Sequence, residues 1–184
     1  YRKRRFEIAG ETTFRLGQDR QADWLMHRPL GDFAATVVSR RFRDGDEAAV
    51  AALFRETVTR IARRDYAPAL IAADLASWRY RLGSTETWLV EIDGRLAGFG
   101  NLAGDGHLDC LYCHADWQGA GIGSRLLATL EAAARSRGDR ELTADVSLTA
   151  HEFFQRRGFR LLARQEVYVR GQALTNLRMR KLLA

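Results

Sequence analysis

At 184 residues, 46% of them hydrophobic, with 16 glycines and only 2 prolines, the chain is sized for one compact domain or one domain with a short extension. Its longest apolar runs, such as residues 48–54, fall far short of the ~18 residues that a membrane-spanning helix needs. Two cysteines, Cys110 and Cys113, cannot staple a secreted framework, and the basic stretch 1–6 is not followed by the apolar core of a signal peptide. The cytoplasm is therefore the expected location. The net charge of +6 comes from 29 basic against 23 acidic residues, with Lys3 and Lys181 the only lysines. Such a surface attracts anions without selecting one. The arginines are dispersed and lack interleaved aromatics, so a nucleic-acid partner is not expected.

Residues 1–35 show no sustained periodicity and read as an extension or arm, in which Pro29 and Gly31 mark a turn and Trp24, Leu25, Met26 and Leu30 are available for packing. From residue 36 the pattern becomes regular. A β-branched run predicts a strand over 36–42. Asp44 then caps a helix carrying Ala49, Ala52, Leu53, Val58 and Ile61 to about residue 63, and Pro68 opens a second helix through Leu70, Leu75 and Trp78. Residues 87–92 and 96–102, joined through Asp93-Gly94-Arg95, form a hairpin. A third strand runs from His107 to Cys113. A glycine-rich turn leads into a helix with Leu126, Leu127, Leu130, Ala133 and Ala134 on one face, closed by Gly138. A strand over 142–146, a short helix over 149–157 stopped by Gly158, and an antiparallel pair, 159–169 and 174–180, complete a mixed α/β single sheet.

The strongest local feature is Gln118-Gly119-Ala120-Gly121-Ile122-Gly123-Ser124, set between a strand and an amphipathic helix. Glycines admit close backbone approach, and amides at a helix N-terminus suit a pyrophosphate. A tight turn with no ligand explains the same residues. The run lacks the Gly-Lys-Ser/Thr ending of a P-loop, and no opening βαβ unit supports a dinucleotide fold.

These residues carry a resemblance to the GCN5-related N-acetyltransferases, whose cofactor-loop pattern Gln/Arg-x-x-Gly-x-Gly/Ala is met by Gln118, Gly121 and Gly123. The likeness extends over about residues 36–184. It includes Asp93-Gly94-Arg95-Leu96-Ala97-Gly98, Leu111-Tyr112-Cys113-His114, Phe153-Phe154-x-x-x-Gly158-Phe159 and the ending Leu174-Thr175-Asn176-Leu177-Arg178-Met179. The chain looks like one of the small bacterial members. The resemblance implies a mostly antiparallel sheet with two splayed central parallel strands flanked by helices, and acetyl-CoA as cosubstrate in the V-shaped gap between them. Leu111, Tyr112 and Cys113 would meet the pantetheine arm. Gly119, Ala120, Gly121, Ile122, Gly123 and Ser124 would surround the pyrophosphate beside Gln118, with Arg125 adding charge. Ser147 stands where many relatives place an asparagine.

Acetyl transfer to an amine needs a neutral nucleophile and a donor for charge developing on the carbonyl oxygen. Regular alternation puts His107, Asp109, Leu111 and Cys113 on one face of their strand. Relatives often carry a glutamate base where His107 stands; an imidazole ordinarily titrates near ~6.5, which suits proton removal near neutrality. Asp109 could orient that ring or position a water. The alternative is that His107 merely begins the strand at the surface and Asp109 satisfies a nearby backbone group or arginine. The family's usual tyrosine acid is replaced by Phe154, which leaves Tyr168, Tyr112, Ser147 or solvent to protonate the leaving thiolate. Cys110 and Cys113, three apart on a strand, face opposite ways and read as core thiols, and no metal is expected. By resemblance Arg64, Asp65 and Tyr66 border the acceptor pocket, with Asp65 suited to an ammonium and Arg64 to a carboxylate; a cap and a salt bridge explain them as well.

The expected function is acetyl transfer from acetyl-CoA to a primary amine, foremost of a small molecule, by direct attack in a ternary complex. A protein N-terminus or lysine is the second acceptor class. A non-catalytic acyl-CoA sensor is the rival that Phe154 motivates. The expected partners are the cosubstrate and the amine, with no membrane, and a homodimer is left open.

Overall fold

The computed structural model describes residues 7–16, 19–27, 35–62, 65, 75–169 and 172–183. The chain falls into two units, 1–35 and 36–184. In the first, strands β1 (Glu7–Leu16) and β2 (Asp19–His27) pair antiparallel from Glu7↔His27 to Leu16↔Asp19, with one irregularity between Ile8 and Gly10. The sequence reading expected no regular element here. The overlooked signal is Gly17-Gln18 between two arms in which Thr12, Phe14 and Leu16 alternate with polar residues, which is hairpin chemistry. Pro29, Leu30 and Gly31 lie outside the described residues.

The second unit runs β3 (Val37–Arg41), α1 (Glu47–Arg60), α2 (Leu75–Gly83), β4 (Glu86–Ile92), β5 (Arg95–Leu102), β6 (His107–Cys113), α3 (Ile122–Arg137), β7 (Glu141–Ser147), α4 (His151–Arg156), β8 (Arg160–Val169) and β9 (Gln172–Leu182). The sheet order is β3-β4-β5-β6-β7-β9-β8, antiparallel throughout except for β6 beside β7. No helix among the described residues is long and apolar enough to cross a membrane.

Helix α1 begins two residues later than predicted. Asp46, not Asp44, is its N-cap, and its carboxylate makes no capping bond to the helix. It accepts two bonds from the Arg40 guanidinium, at 2.7 and 2.8 Å, and one from the Arg43 N–H, so it ties β3 to the turn. The predicted opening of the second helix at Pro68 lies outside the described residues, and α2 is described from Leu75.

Two cores sandwich the sheet. On one face Val50, Phe54 and Val58 of α1 and Trp78 and Leu82 of α2 pack on Leu89, Phe99 and Cys110. On the other, Leu127 and Leu130 of α3 and Phe154 of α4 pack on Leu142, Phe159 and Met179. Gly98 and Gly100 of β5 set how closely α3 lies on the sheet. A Cβ on Gly98 would come within 2.8 Å of Ile122 Cγ2 and 2.9 Å of the Tyr112 carbonyl, and one on Gly100 within 2.9 Å of Leu130 Cδ1. These glycines let the helix start sit directly over the end of β6. We expect Gly98→Ala to lower unfolding stability by ~1–3 kcal/mol through overpacking. Urea denaturation checks this, and an unchanged midpoint would show that α3 can lift away freely.

Candidate active site

The site is built where β6 and β7 part. They pair only at His107↔Thr143 and Leu108↔Ala144; beyond these, the strands run on without partnering each other. A bulge contributes to the separation. Asn101 opposes Cys110 while Leu102 opposes Leu108, which leaves Asp109 as the extra residue of β6. The strict alternation expected from the sequence is therefore broken. Leu108 packs with the α3–α4 core and Cys110 with the α1–α2 core. His107 and Asp109 lie on the α1–α2 face, whereas Leu111 and Cys113 turn to the α3–α4 face, where Cys113 Sγ lies 3.4 Å from the position of a Cβ on Gly123.

His114 gives its N–H to Ala97 on β5, so by alternation Leu111 and Cys113 aim their main-chain groups into the gap. The Cys113 carbonyl is already held there by Thr57 Oγ1 at 3.0 Å and Gln118 Nε2 at 3.2 Å. Gln118 thus fastens the turn to the strand end. Gly119 and Gly121 take φ of 76° and 83°, left-handed values that glycine adopts without strain. As the first residues of α3, Ile122, Gly123 and Ser124 have N–H groups without intrahelical acceptors. Ala120 differs from expectation: its N–H is bonded to the Trp117 carbonyl at 3.1 Å, which withdraws it from the row.

Together these residues line a cleft of about 380 Å³, with Tyr112, Ser147, Phe153 and Phe154 among its other walls. Its one charged lining residue among those described is Arg157, which sequence reasoning missed. The guanidinium donates to Ser124 Oγ and lies 5.1 Å from the centre of the Phe153 ring, with no carboxylate partner among the described residues. An unopposed cation beside a row of free amides favours an anion. Arg125 turns away, donating to Ser39 Oγ and the Val37 carbonyl. A larger, open hollow of about 830 Å³ on the outer flank of α3 contains Arg125 and Trp88 but none of the glycine loop.

Burial pushes both thiols up to about 12; at Cys110, Asp109 adds to the rise while Arg81 opposes it. Both are held as neutral thiols. On the other face Asp109 takes Arg81 in two bonds of 2.5 Å and Asn101 Nδ2 at 3.1 Å. Desolvation pushes the Asp109 carboxyl up, but Arg81, with Asn101 and the nearby His107, outweighs it and holds the group below the ordinary carboxylate range. His107 Nδ1 lies 3.0 Å from Thr143 Oγ1, while the Asp109 carboxylate is taken by Arg81 and Asn101.

Other expected residues are placed elsewhere. Tyr168 is 73% exposed on β8 with its hydroxyl on Glu166, and it does not line the cleft. Asp65 accepts the Thr149 N–H at 2.9 Å, which fastens the end of α1 to the turn before α4; Arg64 and Tyr66 lie outside the described residues. Ser147 Oγ accepts the Ala150 N–H in the same turn. Glu56, His114 and Asp116 bring one ligand-type atom each within 4.8 Å of one another, but Arg60 bonds both carboxylates, which makes the group an ion-pair cluster.

A mixed sheet whose single parallel pair parts beside a glycine-headed helix defines an N-acetyltransferase class of fold. Residues 58–182 match the acetyltransferase (GNAT) domain family, and the chain belongs to it. It is 32% identical over 145 residues to the uncharacterized N-acetyltransferase YafP of Escherichia coli K12, covering 77% of this chain and 93% of that protein. A crystal structure of a GCN5-related N-acetyltransferase from Rhodopseudomonas palustris superposes with a TM-score of 0.76 at 32% identity, over 83% of this chain and all of that one. YncA from Salmonella typhimurium, solved with acetyl-CoA, shares the fold at a TM-score of 0.62 and 21% identity, over 80% of this chain and 94% of that one.

The Asp109 carboxylate gives a pH-dependent prediction. Because its folded value is depressed, its stabilisation is complete above the unfolded value near ~3.9 and is lost as pH falls through the folded one. Asp109→Asn should be less stable than wild type by ~1–2 kcal/mol at neutral pH, a figure discounted for the 46% exposure of Arg81. The difference should shrink in acid. Urea curves measured from neutral pH downward check this, and a gap that stays constant would assign the effect to packing.

Proposed function

We propose that this chain transfers an acetyl group from acetyl-CoA to the primary amine of a small molecule, by direct attack within a ternary complex. The observation that carries the reading is the parting of β6 from β7 beside the free amides of Ile122, Gly123 and Ser124. A carrier ending in a diphosphate fits this side: Arg157 and the loop amides suit its charge, and Leu111 and Cys113 offer main-chain groups to a pantetheine amide. When bound, acetyl-CoA supplies an activated acetyl thioester.

The chain's own residues divide the remaining work. Because the gap passes through the sheet, an amine can approach from the α1–α2 face, where the polar side chains lie. His107 is the proposed base. It sits four residues before Leu111, ~10 Å along the strand because the Asp109 bulge adds no ladder step, so the ammonium proton reaches it through a chain of waters. Asp109, kept ionised by Arg81, stabilises the imidazolium that results. A main-chain N–H at the end of β6 faces the oxygen on which charge develops. Phe154 cannot donate a proton and Tyr168 stands off the cleft, so solvent protonates the departing thiolate. Cys113 remains a thiol, which disfavours an acyl-enzyme route.

Calorimetry with acetyl-CoA and a CoA-release assay over a panel of amines and peptides test the reading. Tight binding without amine-dependent release would favour a sensor; release with peptides alone would favour protein acetylation. His107→Ala should lower kcat by ~10²-fold or more while leaving acetyl-CoA affinity within a few-fold. Unchanged turnover removes His107 as the base. Cys113→Ala should retain turnover, and complete loss in a folded variant that still binds acetyl-CoA would point to a covalent route.

A further inference from the structure

Among the described residues, the edge strand of the sheet, β8, is bonded on one side only, to β9. A bulge at Leu162 interrupts its register with β9, and from Ala163 to Val169 the free edge runs regularly, without proline or lysine, two of the devices that keep edges single. Residues 160–164 are all exposed, and Leu161, Leu162 and Tyr168 are 51%, 50% and 73% accessible. Arg164 has no ion-pair partner among the described residues, and the one described hydrogen bond of Glu166 comes from the neighbouring Tyr168 hydroxyl.

The sequence of this edge is complementary to its own reverse. In an antiparallel pair of identical strands related by a twofold axis perpendicular to the sheet, opposed residues must share a face, so allowed registers differ by two residues. With the axis at Gln165, within the regular stretch that follows the bulge, each Arg164 opposes the other copy's Glu166 and Ala163 opposes Val167. Moving the axis by one residue either way sets Arg164 against Arg164 or Glu166 against Glu166. Like charges directly opposite destabilise a ladder and opposite charges support it. The charges thus select one register and reject its neighbours.

We propose that β8 is a self-association edge on which a second copy of this chain adds antiparallel about Gln165, joining the two seven-stranded sheets. Its partner is the same chain, recognised by main-chain bonds along β8 and by two symmetric Arg164–Glu166 pairs. The inference is independent of the acetyl-transfer reading, since the cleft lies on the far side of β7 and β9.

Light scattering and sedimentation of the full chain test it. The wild type should run at twice the chain mass. Arg164→Glu and Glu166→Arg should each weaken self-association by at least about tenfold, because each turns both pairs repulsive. The double variant, with the charges exchanged, should recover the dimer. Circular dichroism and acetyl-CoA binding report whether each variant is folded, and recovery in the double variant excludes a trivial folding defect. A monomeric wild type, a dimer indifferent to either single change, or a double variant that stays monomeric would each overturn the proposal.

Discussion

The proposed site of this chain depends on two neighbouring parallel strands that stop bonding to each other after Leu108↔Ala144. A sheet interior does not part without cause, because the main-chain groups so released need other partners. Here the causes are local. The Asp109 bulge bends β6, and Thr57 and Gln118 take the Cys113 carbonyl. Strand β7 stays committed to β9 over its whole length, from Glu141↔Leu182 to Ser147↔Asn176. The edge of β6 beyond the bulge is left with donors and acceptors facing a cleft, which is what an extended amide-bearing ligand can satisfy.

The same bulge separates two electrostatic environments. The α3–α4 side gathers helix-start amides, a lone arginine and aromatic rings. The α1–α2 side carries the Asp109–Arg81–Asn101 group with His107 and Thr143 behind it. Both sides depend on close packing elsewhere: α3 can present its first turn to the cleft because Gly98 and Gly100 let it approach β5.

Much of this was legible in the sequence because it rests on short-range signals. The hairpin about Asp93-Gly94, the glycine turn before Ile122 and the Gly138 stop depend on local backbone preferences, and the structure places them as read. The bulge at Asp109 was not legible, since it needs the register of β5 against β6, a non-local property; a strict period of two assigned Leu111 to the wrong face. Arg157 was missed because an arginine pair in Gln155-Arg156-Arg157 resembles any solvated helix end until α4 is folded against α3. Asp46 was missed as a cap because two aspartates flank Gly45 and only the pull of Arg40 distinguishes them. The β1–β2 hairpin was missed because its alternation is diluted by threonine and glycine.

Proton handling shows how far packing constrains the chemistry. Phe154 is buried, edge-on to Phe159 at 5.0 Å and to Phe153 at 5.4 Å, so its position belongs to the aromatic core that also holds Phe153 under Arg157. That low-polarity wall is part of what keeps the Cys113 thiol protonated, since burial disfavours the charged form. A thiolate formed against the same wall would meet the same penalty, offset only by the amides and guanidinium at the cleft mouth. In the proposed reaction the wall would favour release of the thiolate toward the mouth and water, with proton removal from the amine assigned to the opposite, polar face. On that proposal, separating the two proton events by the thickness of a strand would let one cleft remain apolar around the thioester and still admit a base.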